Sequence, residues 1–272
     1  MSKNSHPEAR RELTDLHREL SEAGLVVWTG GNISQRVEDG FLIKPSGVSY
    51  SDLTPESMIL CDIEGQVLEG QFSPSSDTAA HAYVYRQMPE VGGVVHTHSN
   101  YACAFAAASL PIPCVLTAMA DEFGGEIPLG AFAIIGDDSI GRGIVETLSG
   151  HRSSAVIMDK HGVFTIGASP RDALKSAIMC EDTAHSAWLA SQLGPLTPIP
   201  QPQVDSLFHR YQNVYGQLPP RLVAEDPPPT RKIGTRRVRT EPVAGQSAEP
   251  PPDREENPSN DERLKAEKPP HY

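Results

Sequence analysis

The chain has 272 residues, 35 acidic against 23 basic side chains and a formal net charge of −12. That length holds one large domain, or one domain with a tail. A surface of this sign repels a phosphate backbone, which argues against broad nucleic-acid binding but leaves room for a local anion site. No apolar run reaches the length of a membrane span, and the start, MSKNSHPEARRELTDL, lacks the apolar stretch of a signal peptide. The cysteines, Cys61, Cys103, Cys114 and Cys180, have no C-x-x-C spacing. They read as reduced thiols, and the expected compartment is the cytoplasm.

Pro7 to Ala23 carries Leu13, Leu16 and Leu20 at helical spacing, with Pro7 suited to a first turn. Strand-like runs follow at Leu25–Trp28, Ile33–Val37, Phe41–Lys44 and Met58–Asp62, separated by turn sequences such as WTGGN and KPSGVSYSDL. A second helix is predicted from Thr78 to Met88, a valine-rich strand over Gly92–Thr97 and an alanine-rich helix over Tyr101–Ala108. Phe132–Ile135 and Ala155–Met158 read as further strands. Ser169 is a good N-cap, with Pro170 just inside, for a long helix from Arg171 to Leu193. Trp28 and Trp188 read as packing residues, Asp137 and Asp138 as turn residues, and Glu181 with His185 as a surface pair. Tyr83 and Tyr85 are candidates for covering a subunit interface. Helices and strands intermix, so the class is α/β, with short strands in a central sheet and helices on its faces.

The composition changes after Leu218: twelve of the 25 prolines fall in 219–272, and apolar periodicity disappears. Such a segment cannot bury enough apolar surface to offset its ordering entropy. It is expected to be a disordered tail, with a basic block, Arg231–Arg239, followed by an acidic one. The folded domain is expected to be residues 1–218.

Residues 94–99 read VVHTHS. Alternate residues of a strand share a face, so His96 and His98 project side by side at a strand's end. Two imidazoles on one face can chelate a divalent metal, but a catalytic zinc wants a third protein ligand. His161, in AVIMDKHGVF, stands after a second apolar run and supplies it. The competing reading is an incidental exposed pair. In FSPSSDTAAHAY, Ser75 and Ser76 precede a helix, where hydroxyls and free N–H groups make a phosphate cradle; plain N-capping by Ser76 is the alternative. Asp77 could ligate the metal or move a proton. TGGNIS and IKPSGVS let backbone approach a ligand closely, and Lys44 adds the charge a phosphate needs.

GGNIS, IKPSGV, PSSDT, GGVVHTHS, ADEFGG, DKHG and VYGQ occur in this order. Together they resemble the class II aldolase/adducin family, and within it the L-ribulose-5-phosphate 4-epimerase branch, over about residues 10–217. The resemblance implies an α/β fold around a largely antiparallel sheet and one divalent metal per chain, zinc or alternatively manganese. It also implies a ketose-phosphate substrate and a homotetramer with active sites between subunits. By similarity, His96, His98 and His161 are metal ligands, with Asp77 beside them. Gly31, Asn32, Ser46, Gly47, Ser75 and Ser76, with Lys44, match the loops that hold substrate and phosphate. Asp121 and Tyr215 match the acid/base pair, and His209 lies near a C-terminal histidine of that branch. Asp77 stands where the epimerases have Asp and the fuculose-phosphate aldolases have Glu. The implied reaction breaks and re-forms the C3–C4 bond, inverting C4, with the cation as Lewis acid and an acid/base on each side of the C4 oxygen. A lyase acting on a related sugar phosphate is the alternative, and a non-catalytic scaffold like the adducin head is a third reading. No G-x-G-x-x-G fingerprint points to a redox cofactor.

Overall fold

Helix α1 (Pro7–Glu22) has Pro7 in its first turn and buries Leu13, Leu16 and Leu20, the stripe set by their spacing. The structure, a computed structural model, describes residues 4–214. Tyr215 and the expected tail, 219–272, lie outside the described residues. β1 (Asn32–Val37), β2 (Gly40–Ile43), β3 (Ile59–Cys61) and β4 (Val67–Glu69) pair successively as an antiparallel meander. Then come α2 (Thr78–Gln87), β5 (Gly93–Thr97), α3 (Asn100–Ala108) and α4 (Thr117–Phe123). The second half holds β6 (Leu129–Gly130), α5 (Ser139–Leu148), β7 (Ala155–Met158), β8 (Val163–Gly167), α6 (Pro170–Leu193) and α7 (Gln201–Val214).

The strands form one eight-stranded sheet in the order β4-β3-β2-β1-β5-β8-β7-β6. Every pairing is antiparallel except β6 with β7. Alternation of side chains divides the core. On one face Phe41, Ile43, Val94, Val156 and Phe164 pack with Ala80, Val84, Ile140 and Ile144 of α2 and α5. On the other, Ile33, Leu42, Leu60 and Val95 meet α1 and α6, while Ala155, Ile157 and Val163 meet residues of α3, α4, α6 and α7. Central strands covered on both faces read as continuous apolar runs, as Val94–Val95 and Ala155–Met158 do. Ser169 caps α6 as expected, its hydroxyl accepting from the Asp172 N–H.

Two expected strands are absent. Leu25–Trp28 leaves α1 through a turn in which Trp28 has φ +58° and Gly30 N–H donates to Val27 O. Trp28 is 87% exposed, so it is not a packing residue. Phe132–Ile135 is an exposed loop after the two-residue edge strand β6; among the described residues no strand lies beyond β6, and Ile135 makes only an isolated bridge with Asp137. Asp138 takes the N-cap position of α5, and the Asp137 carboxylate accepts from Ser139 N–H. Tyr85 is fully buried, so it covers no subunit interface.

A buried histidine ties α1 to β1. Ile33 N–H donates to His17 Nε2 at 3.0 Å, so Nδ1 carries the proton and donates to Leu13 O at 2.7 Å. Burial pushes the His17 pKa down to about 3. The unfolded chain takes up this proton below pH about 6.5 and the fold does not, so stability falls as pH drops through the window from about 6.5 to about 3. The contribution is about 1.4 kcal/mol per pH unit. Urea titrations of metal-free protein between pH 7 and 5 should give a slope about one proton shallower for His17→Gln; equal slopes would mean that His17 protonates in the fold.

The N-terminus of α6 approaches β5 so closely that a Cβ on Gly93 would lie 2.3 Å from Pro170 Cα and 2.4 Å from its N. Both are backbone atoms and cannot yield cheaply, so Gly93→Ala should cost about 3 kcal/mol, a Tm drop on the order of 6–12 °C. Gly150→Ala, at φ +76° with open space around it, should cost only about 1 kcal/mol. Similar melting temperatures for the two variants would contradict this account of the β5–α6 contact.

Candidate functional site

β5 runs between β1 and β8, and its register sets His96 opposite Asn32 on one side and Phe164 on the other. Directly opposed residues of antiparallel strands share a face, so these three side chains form a row. The His96 ring lies flat on Phe164, centroids 4.1 Å apart at 13°. His96 Nδ1 lies 2.9 Å from Val163 O. A carbonyl only accepts, so Nδ1 carries the proton and Nε2 keeps its lone pair, on the side of the His98 ring. Burial lowers the His96 pKa to about 3, which keeps that lone pair available at neutral pH.

His98 follows the strand, with its Nε2 3.0 Å from His96 Nε2. His161 comes from the β7–β8 turn, and one ligand atom from each of the three rings lies within 4.8 Å of the others. Nitrogens bound tetrahedrally to zinc at 2.0–2.1 Å sit roughly 3.3 Å apart, close to the His96–His98 spacing. His161 Nδ1 is buried with no hydrogen-bond partner. Three converging imidazoles with an orphaned ring nitrogen fit a divalent transition metal.

The turn that carries His161 is held from two sides. Lys160 adopts φ +56°, and its Nζ donates to Ala107 O at 2.6 Å and Ser109 Oγ at 2.7 Å, at the end of α3. A Cβ on Gly162 would lie 2.6 Å from Thr97 O and 2.7 Å from His98 Cδ2. Glycine is what lets the turn close onto both histidines.

Asp77 occupies the N-cap position of α2 but makes no side-chain cap. Asp at this position ordinarily accepts from the first-turn N–H groups, worth about 1 kcal/mol. Here Oδ2 accepts from Asn32 Nδ2 at 2.7 Å, and Oδ1 is buried without a partner. Burial opposes ionisation, yet His96, His81 and the Asn32 hydrogen bond outweigh it and hold the carboxyl below its usual range. Asn32 Nδ2 also donates to Ser75 Oγ at 3.0 Å, leaving Asn32 Oδ1 unpaired. Ser76 caps nothing; Ser75 O takes the Thr78 N–H and hydroxyl instead.

Lys44 is buried and spends two of its three N–H groups on Thr29 O and Pro45 O, both at 3.2 Å. Burial brings its pKa down to about 8. Gly31, at φ +72°, carries β1 past His96, where a Cβ would lie 2.8 Å from His96 O.

Gly31, Asn32, Lys44, Ser46, Gly47, Ser75, Ser76, Asp77, His96, His98 and His161 all line one cavity of about 270 Å³. Thr29, Gly30, Pro45 and Ile135 complete its wall. Asp121 does not line it. That residue sits on α4, with a buried, unpartnered Oδ1, beside Glu122, which is tied to Lys175 at 2.7 Å and to Tyr211 at 3.1 Å. His209 is exposed on α7, and Tyr215 is outside the described residues. Glu181 is not a surface residue paired with His185: its two oxygens accept from Tyr101 and Ala102 N–H, both at 2.9 Å, at the start of α3. His185 stacks on Tyr101 at 3.8 Å, with Trp188 tilted against the same ring. His81 is a buried residue beside the site that the sequence reading passed over. Its signal was the four-residue spacing from Asp77, which puts both on one helix face.

The purified chain should take up about one divalent cation, read by metal analysis and calorimetric titration. His96→Ala and His98→Ala should each lose it while keeping their secondary structure. Stoichiometric uptake by the double variant would remove the triad as the binding site.

Comparison with known proteins agrees with this geometry. The family model for the Class II Aldolase and Adducin N-terminal domain matches residues 11–188. The chain is 36% identical to L-ribulose-5-phosphate 4-epimerase UlaF of Salmonella paratyphi B (strain ATCC BAA-1250 / SPB7) over 223 residues, covering 76% of this chain and 98% of that one. An L-fuculose 1-phosphate aldolase superposes with a TM-score of 0.71 at 23% identity, over 75% of this chain and 96% of that one. The L-fuculose-1-phosphate aldolase of Thermus thermophilus does so with a TM-score of 0.59 at 27% identity, over 70% and 100%. The chain belongs to the class II aldolase/adducin family.

Proposed function

We propose that the protein is a zinc-dependent 4-epimerase of a ketose phosphate, with L-ribulose 5-phosphate as the leading substrate. The observation that carries this reading is Asp77, which gives up the α2 cap to face the histidine cluster with one oxygen held by Asn32 and the other unpaired. The 36% identical relative that bears the epimerase name supports it. His96, His98 and His161 would hold the cation, with Asp77 beside them. When bound, it supplies Lewis-acid polarisation of the sugar's carbonyl and adjacent hydroxyl oxygens.

The remaining work falls to side chains and backbone. The remaining N–H of Lys44, the hydroxyls of Ser46, Ser75 and Ser76, and the small residues Gly31 and Gly47 make a cradle suited to a phosphate. Asn32 Oδ1 is a free acceptor for a sugar hydroxyl. Inversion at C4 requires a proton to leave the C4 hydroxyl as the C3–C4 bond breaks, and a proton to return from the opposite side after the aldehyde fragment rotates. Asp121 and Tyr215 are assigned to those two transfers. Asp121 lies outside the cavity of its own chain, so this assignment requires a second copy to deliver it, in a homotetramer with sites between subunits. The exposed Val27, Trp28 and Ile134, on loops next to the cavity-lining Thr29 and Ile135, suit such a contact. The catalytic unit is assigned to residues 1–218, with 219–272 as an appended tail. Free thiols at Cys61, Cys103, Cys114 and Cys180 suit the cytoplasm, and no helix among the described residues is long and apolar enough to cross a membrane.

A lyase on a related sugar phosphate is the second reading, favoured by the fuculose-phosphate aldolases among the structural relatives. Both reactions begin with C3–C4 cleavage, so the product decides. A panel of ketose phosphates, scored for C4 epimer against released aldehyde, should give the epimer. Asp121→Asn and Tyr215→Phe should each lower kcat by roughly 10²–10⁴-fold with metal content intact and KM changed much less. Mixing His98→Ala chains with Tyr215→Phe chains should restore activity through hybrid sites. Normal epimerisation by both acid/base variants would remove Asp121 and Tyr215 from the proton transfers, and released aldehyde without epimer from the wild type would transfer the assignment to the lyase.

A further inference from the structure

His81 stands one turn beyond Asp77 on α2, its N–H bonded to Asp77 O at 3.0 Å. Side chains four apart on a helix share a face. The ring is completely buried, packed edge-on to Phe164 with centroids 6.1 Å apart. Phe164 is the same ring on which His96 lies flat. His81 Nδ1 is 2.7 Å from Ser34 Oγ, and Ser34 Oγ is 2.8 Å from Tyr85 OH. Ser34 and Asn32 are two apart on β1 and so face the same side of the sheet, which brings this chain of hydroxyls behind the Asn32–Asp77 contact. At the near end two buried atoms are left over: His81 Nε2 and Asp77 Oδ1 both lack partners.

A neutral imidazole has one N–H, and the hydroxyl chain can be ordered in two ways. Tyr85 can donate to Ser34 and Ser34 to Nδ1, which leaves the proton on Nε2. In the reverse order Nδ1 donates to Ser34, and an unprotonated Nε2 is left buried on the helix face that also carries the Asp77 carboxylate. Like signs in a low-dielectric interior repel strongly, and the phenol is the more acidic hydroxyl. The first order has the right sign at both ends.

We propose that His81 is a positioning residue for Asp77: the Tyr85 and Ser34 hydroxyls hold its ring as the Nε2–H tautomer, and that N–H dipole keeps the Asp77 carboxylate turned to the histidine cluster. His81 touches neither substrate nor cation in this scheme and acts through Asp77. The arrangement explains why a helix starts on an aspartate that does not cap it. A buried donor behind the carboxylate offsets part of what the missing cap loses.

The scheme rests on the function proposed above, and two independent measurements test it. Neutron diffraction on crystals of the full chain should place a deuteron on His81 Nε2 and none on Nδ1; a deuteron on Nδ1 overturns the proposal whatever the enzyme's substrate. In kinetics, His81→Leu should lower kcat roughly 10–100-fold with KM within about threefold, and His81→Gln, whose amide can place an N–H near the position of Nε2, should recover most of the loss. Equal impairment in both variants would reduce His81 to core packing. If His81→Leu fails to fold, Ser34→Ala takes its place: it removes the hydroxyl that orders the ring and should lower kcat part of the way, and an unchanged kcat would overturn the proposal. A wild-type chain that turns over no ketose phosphate would instead count against the proposed function, while the deuteron position still decides the tautomer.

Discussion

Antiparallel pairing of β5 between β1 and β8 is the constraint on which the site depends. A one-residue slip of β5 would turn His96 to the α1–α6 face, because side chains alternate with a period of two. The register is held by the burial of Val94 and Val95 on opposite faces and by backbone contacts with no slack at Gly93 and Gly162. Once it is set, Asn32, His96 and Phe164 stand in a row, and the His98 and His161 loops have only short distances to close.

Around that row the protein accepts local costs. Asp77 leaves its helix uncapped, Lys44 is buried between carbonyls, and unpaired buried atoms gather on Asn32, Asp77, His81 and His161. Each unpaired buried polar group costs on the order of 1–3 kcal/mol in a fold with no ligand. Four of the seven unpaired buried side-chain atoms among the described residues lie in or behind one cavity, where a bound ligand would return that energy. The hydroxyl chain through Ser34 and Tyr85 extends the polar region into the core without leaving orphans of its own.

The chain also keeps apart some groups that the family resemblance joins. Asp121 is fixed on α4 beside the Glu122–Lys175–Tyr211 cluster, away from the cavity. The half-exposed Lys175 and the largely buried Glu122 tie this helix in place, which is why the role proposed for Asp121 puts it in another copy's cavity. The assembly proposed above would also cover the exposed apolar loops beside the polar pocket.

Much of the site was legible in the sequence because its chemistry is carried by short local signals. H-x-H at a strand end, a third histidine before a glycine, and Ser-Ser-Asp before a helix are patterns whose geometry follows from periods of 2 and 3.6 residues. The long helices and the central strands follow from the same periods. What the sequence could not decide is what each apolar run would find beside it. Leu25–Trp28 and Phe132–Ile135 look like strands, yet a strand needs a neighbour, and neither has one in the sheet. β4 is only three residues and α4 only seven, too short for periodicity to speak. Likewise Glu181, His185 and His81 are ordinary helix residues until α3 and β1 are packed against them; their partners lie 79, 80 and 47 residues away or in a stacking contact across α3 and α6. The sequence by itself determined which groups could do chemistry. Only the tertiary structure decided which buried polar atoms would be paired and which left open, because that depends on contacts between segments far apart in the chain.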